Sequence, residues 1–217
     1  MRFISDNQLM NESLIAPSQR TIPVQKRALE KYELILGVSC GLLEERGFSG
    51  LSTREIARRA GCNIATVYRY FDGVNDIIKA LGEPFLLGIS DLFDQMSAHL
   101  IRGDSLDSVV QFFIEVLTKE LEQNRWVLHA EAGIMTDLDL IAWDRHLMQK
   151  IETKLSGVFA IALPDKSASE LQVISHRLVR HWKAYMQTLM FEGFNDVDWL
   201  IRDATQTSLA LIKADIG

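Results

Sequence analysis

From Lys26 the apolar positions fall into helical step. Leu29, Tyr32, Leu36, Ser39 and Leu43 recur every three or four residues, and Ile35 and Leu42 widen the stripe. Gly47 then ends a helix of about five turns. After Phe48-Ser49-Gly50-Leu51, Ser52 reads as an N-cap with Glu55 three residues later, the spacing of a capping box. Ile56 and Ala57 open a short helix that Gly61 closes. Asn63 is a second N-cap, and residues 64–71 fit two helical turns before Asp72-Gly73 breaks them. A further helix runs from about Val74 toward Leu81, with Gly82 and Pro84 marking its end or a kink.

The remaining pattern is also helical, near 85–102, 106–123, 126–135, 138–160, 168–192 and 197–214. No segment sustains the alternation of a half-buried strand. The expected fold is all-α, with about nine or ten helices and a boundary near Gly82–Pro84. Residues 1–25 hold no sustained period and contain Pro17 and Pro23, so they read as a flexible arm. The expected divisions are that arm, a compact N-terminal domain over 26–82, and a larger C-terminal helical domain over 83–217.

Within the N-terminal domain, residues 51–71 read as short helix, tight turn at Gly61, short helix. That is a helix-turn-helix, whose second helix enters the DNA major groove. On its wheel Val67 and Phe71 form an inward edge, while Ile64, Ala65, Tyr68 and Arg69 share another face flanked by Thr66. Ile64 or Ala65 suits thymine methyls, and Arg69 reaches guanine or phosphate. The hydroxyls of Thr66 and Tyr68 suit phosphate oxygens. Thr53 and Arg54, at the start of the preceding helix, are placed for backbone contacts, where a helix N-terminus itself favours phosphate.

Residues 32–81 resemble the DNA-binding domain of TetR-type bacterial transcriptional regulators. The likeness is carried by Leu51-Ser52-Thr53-Arg54-Glu55-Ile56-Ala57-Arg58-Arg59-Ala60-Gly61 and by Thr66-Val67-Tyr68-Arg69-Tyr70-Phe71. The resemblance implies a ligand-responsive regulator, most often a homodimeric repressor that binds a near-palindromic double-stranded operator and is released by a small molecule. It implies Thr66, Tyr68 and Tyr70 at or near phosphates, and Asn63, Ile64, Ala65 and Arg69 at or near base edges. Where the family's next helix usually offers a small cap and then Lys, this chain has Gly73-Val74-Asn75-Asp76. Lys79, about a turn on, is the candidate compensating cation.

Composition at first argues the other way. The 217 residues carry a net charge of −6, the wrong sign for bulk binding to phosphate. Partitioned, residues 20–82 hold 10 Lys and Arg against 7 Asp and Glu, a net +3, while residues 83–217 hold 12 against 20, a net −8. The acidic body disfavours indiscriminate coating and leaves specificity to the basic head. Arg20, Lys26 and Arg27 give the arm cations suited to phosphates or a minor groove.

Other chemistry is sparse. Cys40 and Cys62 make no disulfide framework and fit a reduced compartment, with burial and inertness the ordinary expectation. His129-Ala130-Glu131 lacks the Pro-Cys-x-x-Cys of zinc deaminases, and His176 and His181 do not share a helix face. No nucleophile elbow, phosphate loop or dinucleotide glycine pattern is present, so no catalytic residue, metal or cofactor is expected. No run approaches the roughly 18–20 apolar residues of a membrane span, and the N-terminus lacks a signal-peptide core, so a cytoplasmic protein is expected. Two rival readings are an all-α enzyme and a helical protein–protein adaptor without DNA binding.

The C-terminal helices point to a partner. Leu171, Ile174, Leu178, Trp182, Tyr185 and Leu189 form one stripe, and Leu200, Ala204, Thr207, Leu211 and Ala214 another. Val173, Val179, Met186 and Met190 add a second face, and a helix apolar on two sides is buried on two sides. The resemblance places a dimer's four-helix bundle at 168–192 and 197–214. Helical bundles also build apolar pockets for small molecules, for which Met and aromatic side chains are suited.

Overall fold

The computed structural model describes residues 22–214. These residues form nine α-helices and no strand. In chain order they are α1 (Lys26–Arg46), α2 (Thr53–Arg59), α3 (Ile64–Tyr70), α4 (Val74–Ile101), α5 (Leu106–Gln123), α6 (Trp126–Ile134), α7 (Leu138–Ala162), α8 (Ala168–Glu192) and α9 (Val197–Lys213). A single 3-10 turn, Phe48–Gly50, follows α1. The expected all-helical class holds. Residues 1–21 of the expected arm lie outside the described residues, and Ile22 and Val24 are exposed.

The chain divides into two compact units. The first takes residues up to Leu86 together with Arg125–Asp144, and the second takes Leu87–Asn124 and the chain from Arg145 onward. Both α4 and α7 contribute residues to each unit.

In the first unit, α1 buries Ile35, Leu36, Ser39, Leu42 and Leu43, close to the stripe its period predicts. Ser39 is tolerated there because its hydroxyl donates to the Ile35 carbonyl at 2.8 Å. Gly47 ends the helix at φ +66°, a conformation open to glycine. Ile56, Ala57, Val67, Phe71, Ile77, Ile78 and Leu81 continue this core, and Ala130, Ile134 and Leu140 complete it from far along the chain. At Gly133 the Phe48 ring lies where any Cβ would stand, so α6 meets the 3-10 turn through bare backbone.

Of the end or kink expected at Gly82–Pro84, the end is absent, because α4 continues through it. Pro84 has no N–H to offer the Ala80 carbonyl, which weakens one turn. Burial on both sides of the gap, by Leu81 and Leu86, outweighs that loss. Trp143 packs edge-on at Gly82, where an added Cβ would come within 2.8 Å of its ring.

In the second unit Phe93 and Phe113 stack at 5.6 Å, and Trp182 leans on Phe113 at 4.2 Å. All six residues of the α8 stripe are buried. Polar groups in this core are paired across helices. The Trp182 indole N–H donates to Ser208 Oγ at 3.1 Å, and the Tyr185 and Thr118 hydroxyls meet at 2.6 Å. The expected α9 stripe is shifted. Leu200, Ala204, Ser208 and Ile212 face inward, while Thr207 and Leu211 are half-buried and Ala214 is exposed. A reading by hydrophobicity passes over Ser208, which is stable inside because it accepts from Trp182 and donates to the Ala204 carbonyl at 2.7 Å. Val179, expected on an outer face of α8, is buried, whereas Val173 is 48% exposed.

Candidate nucleic-acid interface

Helix α3 is short, and its ends are set by local chemistry. Asn63 is extended, and its side-chain oxygen accepts from the Ala65 N–H at 3.0 Å. Val67 and Phe71 are buried, and the Phe71 ring stacks on Tyr32 at 5.0 Å. With those two anchored inward, Ile64, Ala65, Tyr68 and Arg69 are left exposed, together with the capping Asn63. Thr66 and Tyr70 are half-buried, and Tyr70 lies edge-on to Tyr32 at 6.2 Å. Because Asn63 uses its oxygen on the cap, its amide is left as a donor, suited to acceptors such as phosphate, guanine O6 or thymine O4.

Helix α2 delivers Thr53 and Arg54 from its first turn. The Thr53 hydroxyl lies 3.2 Å from the Tyr68 hydroxyl, so the two predicted phosphate-facing side chains meet across 15 residues.

The cations of this region divide into two classes that sequence alone did not separate. Arg58 binds Glu55 through Nε at 2.8 Å and Nη2 at 2.7 Å. Arg59 binds Glu45 through both terminal nitrogens, at 2.8 and 2.6 Å. Arg54 and Arg69 are exposed and make no ion pair among the described residues. Lys79, the candidate compensating cation, is held by Asp139 at 2.7 Å.

The capping box expected at Ser52 is half made. Ser52 Oγ accepts from the Glu55 N–H at 3.2 Å, but the Glu55 carboxylate turns away toward Arg58, Arg59 and Arg46. Charge-assisted bonds from guanidinium are stronger than one neutral N–H. Those bonds, Arg58's above all, hold the Glu55 carboxyl at about 2, well below its ordinary value of 4.5. A folded-state value below the unfolded one stabilises the fold above about pH 4.5. That contribution is lost as pH falls toward about 2. Glu55→Gln is therefore expected to flatten the acid limb of stability in that window. Urea midpoints taken at pH 5 and pH 3 for both chains check this, and an equally steep loss in the variant would refute it.

No helix of the described residues is long and apolar enough to cross a membrane.

Residues 35–81 match the family described as bacterial regulatory proteins, tetR family. The chain is 23% identical over 124 residues to the probable HTH-type transcriptional regulator YttP of Bacillus subtilis, covering 57% of this chain and 58% of that protein. It is 22% identical over 204 residues to the HTH-type transcriptional repressor KstR of Mycobacterium tuberculosis, covering 93% of this chain and 84% of that one. Among solved structures, the transcriptional regulator FadR from Bacillus subtilis in complex with stearoyl-CoA superposes with a TM-score of 0.63. Its identity is 14%, over 86% of this chain and 98% of that chain.

Proposed function

We propose that this chain, a TetR-family regulator, is a cytoplasmic homodimeric repressor that binds a near-palindromic DNA operator and is released by a small molecule. The observation that carries the reading is the exposed face of α3. Asn63, Ile64, Ala65, Tyr68 and Arg69 form one surface, backed by buried Val67 and Phe71. Thr53, hydrogen-bonded to Tyr68, continues it onto α2. In this reading Thr53, Arg54, Thr66, Tyr68 and Tyr70 position the protein on phosphates, and Asn63, Ile64, Ala65 and Arg69 meet base edges. Lys79 adds a phosphate contact when free. Residues 26–82 carry DNA binding, and residues 83–217 carry effector binding and dimerisation.

Dimerisation through α8 and α9 is supported by large apolar side chains exposed there. Phe191 is 81% exposed and Trp199 50%. The aromatic interior of the second unit, built on Phe93, Phe113 and Trp182, suits an apolar effector, and the FadR likeness makes a long acyl thioester the first to try. The effector acts only through a difference in affinity between the DNA-bound and released conformations. The repressor name of the KstR relative supports the negative sense of control.

Selection of duplexes from a random pool tests the reading. A two-fold symmetric site is expected, with half-sites one helical turn apart, roughly 34–36 Å, or slightly more. Recovery of no preferred sequence, with no salt-dependent binding, would overturn it.

A further inference from the structure

The corner between α6 and α7 grips the start of α4. The Asn75 amide donates to Asp137 Oδ1 at 3.0 Å and lies 3.4 Å from Asp139 Oδ2. Lys79 Nζ donates to Asp139 Oδ2 at 2.7 Å. The corner is itself fixed, since Asp137 Oδ1 also accepts the Asp139 N–H at 2.9 Å and so caps α7. Its carboxyl is kept below the usual range, first by the Asn75 amide. Asp139 is thus presented from a held backbone, and its carboxylate lies against the second turn of the helix that follows α3.

We infer that Asp139 is an affinity-setting residue, which withholds the Lys79 ammonium from the DNA backbone by pairing with it inside the same unit. The inference rests on the DNA-binding reading above. Its physical basis is a competition for one cation. Position 74, at the head of α4, is Val, so Lys79 is the sole Lys or Arg within the first two turns of α4. A lysine bound to a carboxylate is already neutralised and releases few counterions on meeting phosphate. The Asp139 side chain is 59% exposed and the Lys79 side chain 20%, so a largely covered cation is held by a carboxylate that solvent still reaches, restrained and not locked. The arrangement lowers the contribution of Lys79 to affinity and to salt dependence alike. Any movement of the α6–α7 corner away from α4 raises both.

The test measures binding to the duplex selected by the wild-type chain across a series of salt concentrations. The variants are Asp139→Asn, Lys79→Met and the double replacement. Asp139→Asn is expected to tighten binding roughly 2- to 5-fold. It is also expected to steepen the slope of log K against log salt by about 0.9, the value for one added phosphate contact. In the Lys79→Met background both gains should vanish. Asp139→Gln, which is also uncharged, should repeat the gain. An unchanged or weakened Asp139→Asn, or a gain that persists without Lys79, would overturn the inference while leaving DNA binding intact. Failure of the wild-type chain to bind any duplex with a salt slope would instead remove the reading beneath it.

Discussion

Replacing Thr66 with Ala and Tyr68 with Phe together is expected to lower operator affinity about 100-fold, with the fold unchanged. The magnitude follows from two hydroxyl bonds to charged phosphate, each worth about 1.5–3 kcal/mol, with the lower end taken for both. Tyr68 is 47% exposed and Thr66 half-buried, and neither carries the core, which rests there on Val67 and Phe71. Circular dichroism and thermal midpoint should therefore hold steady. Tyr68→Phe also removes the bond to Thr53, so it loosens the α2–α3 surface as well as deleting a donor. Two further readouts separate this mechanism from a general loss of charge. The salt slope should not change, because neither hydroxyl displaces a counterion. The loss should be similar for every half-site sequence, because phosphate contacts carry no base information. Replacing Ala65 or Arg69 should instead alter sequence preference. Retained operator affinity in the double variant would count heavily against the proposed interface.

Trp182→Ala is expected to destabilise the protein by about 3–5 kcal/mol, the range for removing a large buried aromatic. Trp182 is 5% exposed and fills the space beside the stacked Phe93 and Phe113 rings. Its indole N–H is also the donor that makes Ser208 acceptable inside the unit. Ser208 keeps its bond to the Ala204 carbonyl, so the cavity and not an orphaned donor dominates the cost. Trp182→Phe retains much of the ring and loses the N–H, and should cost about 1–2 kcal/mol. Urea denaturation followed by circular dichroism checks both. A loss below 1 kcal/mol for Trp182→Ala would show that the aromatic cluster is not the organising core of this unit.

What the sequence made legible is what local chemistry decides. The face of α3 follows from an Asn cap, a period of 3.6 and two apolar anchors four residues apart, all within nine residues. The α8 stripe is equally local. What stayed hidden depends on residues far apart in the chain. Arg54, Arg59 and Arg69 look alike in sequence, yet Glu45 claims Arg59 from 14 residues away. Lys79 meets Asp139 across 60 residues, which no periodicity encodes. Pro84 argues locally for a break, and tertiary burial around it overrules the local preference. Ser208 looks like a surface residue until its indole partner is known.

The late arrival of Ala130, Ile134 and Leu140 in the core of the first unit bears on how the protein is made. During synthesis the segment that ends at Leu86 emerges well before these partners. At about 5–20 residues per second it waits roughly 3–10 seconds for Leu140. For that interval the nascent chain exposes the apolar surfaces of α1 and the 3-10 turn that α6 later covers. The exposed face of α3 is encoded early, but the core behind it closes late, and the apolar surface left open in that interval is of the kind that favours aggregation.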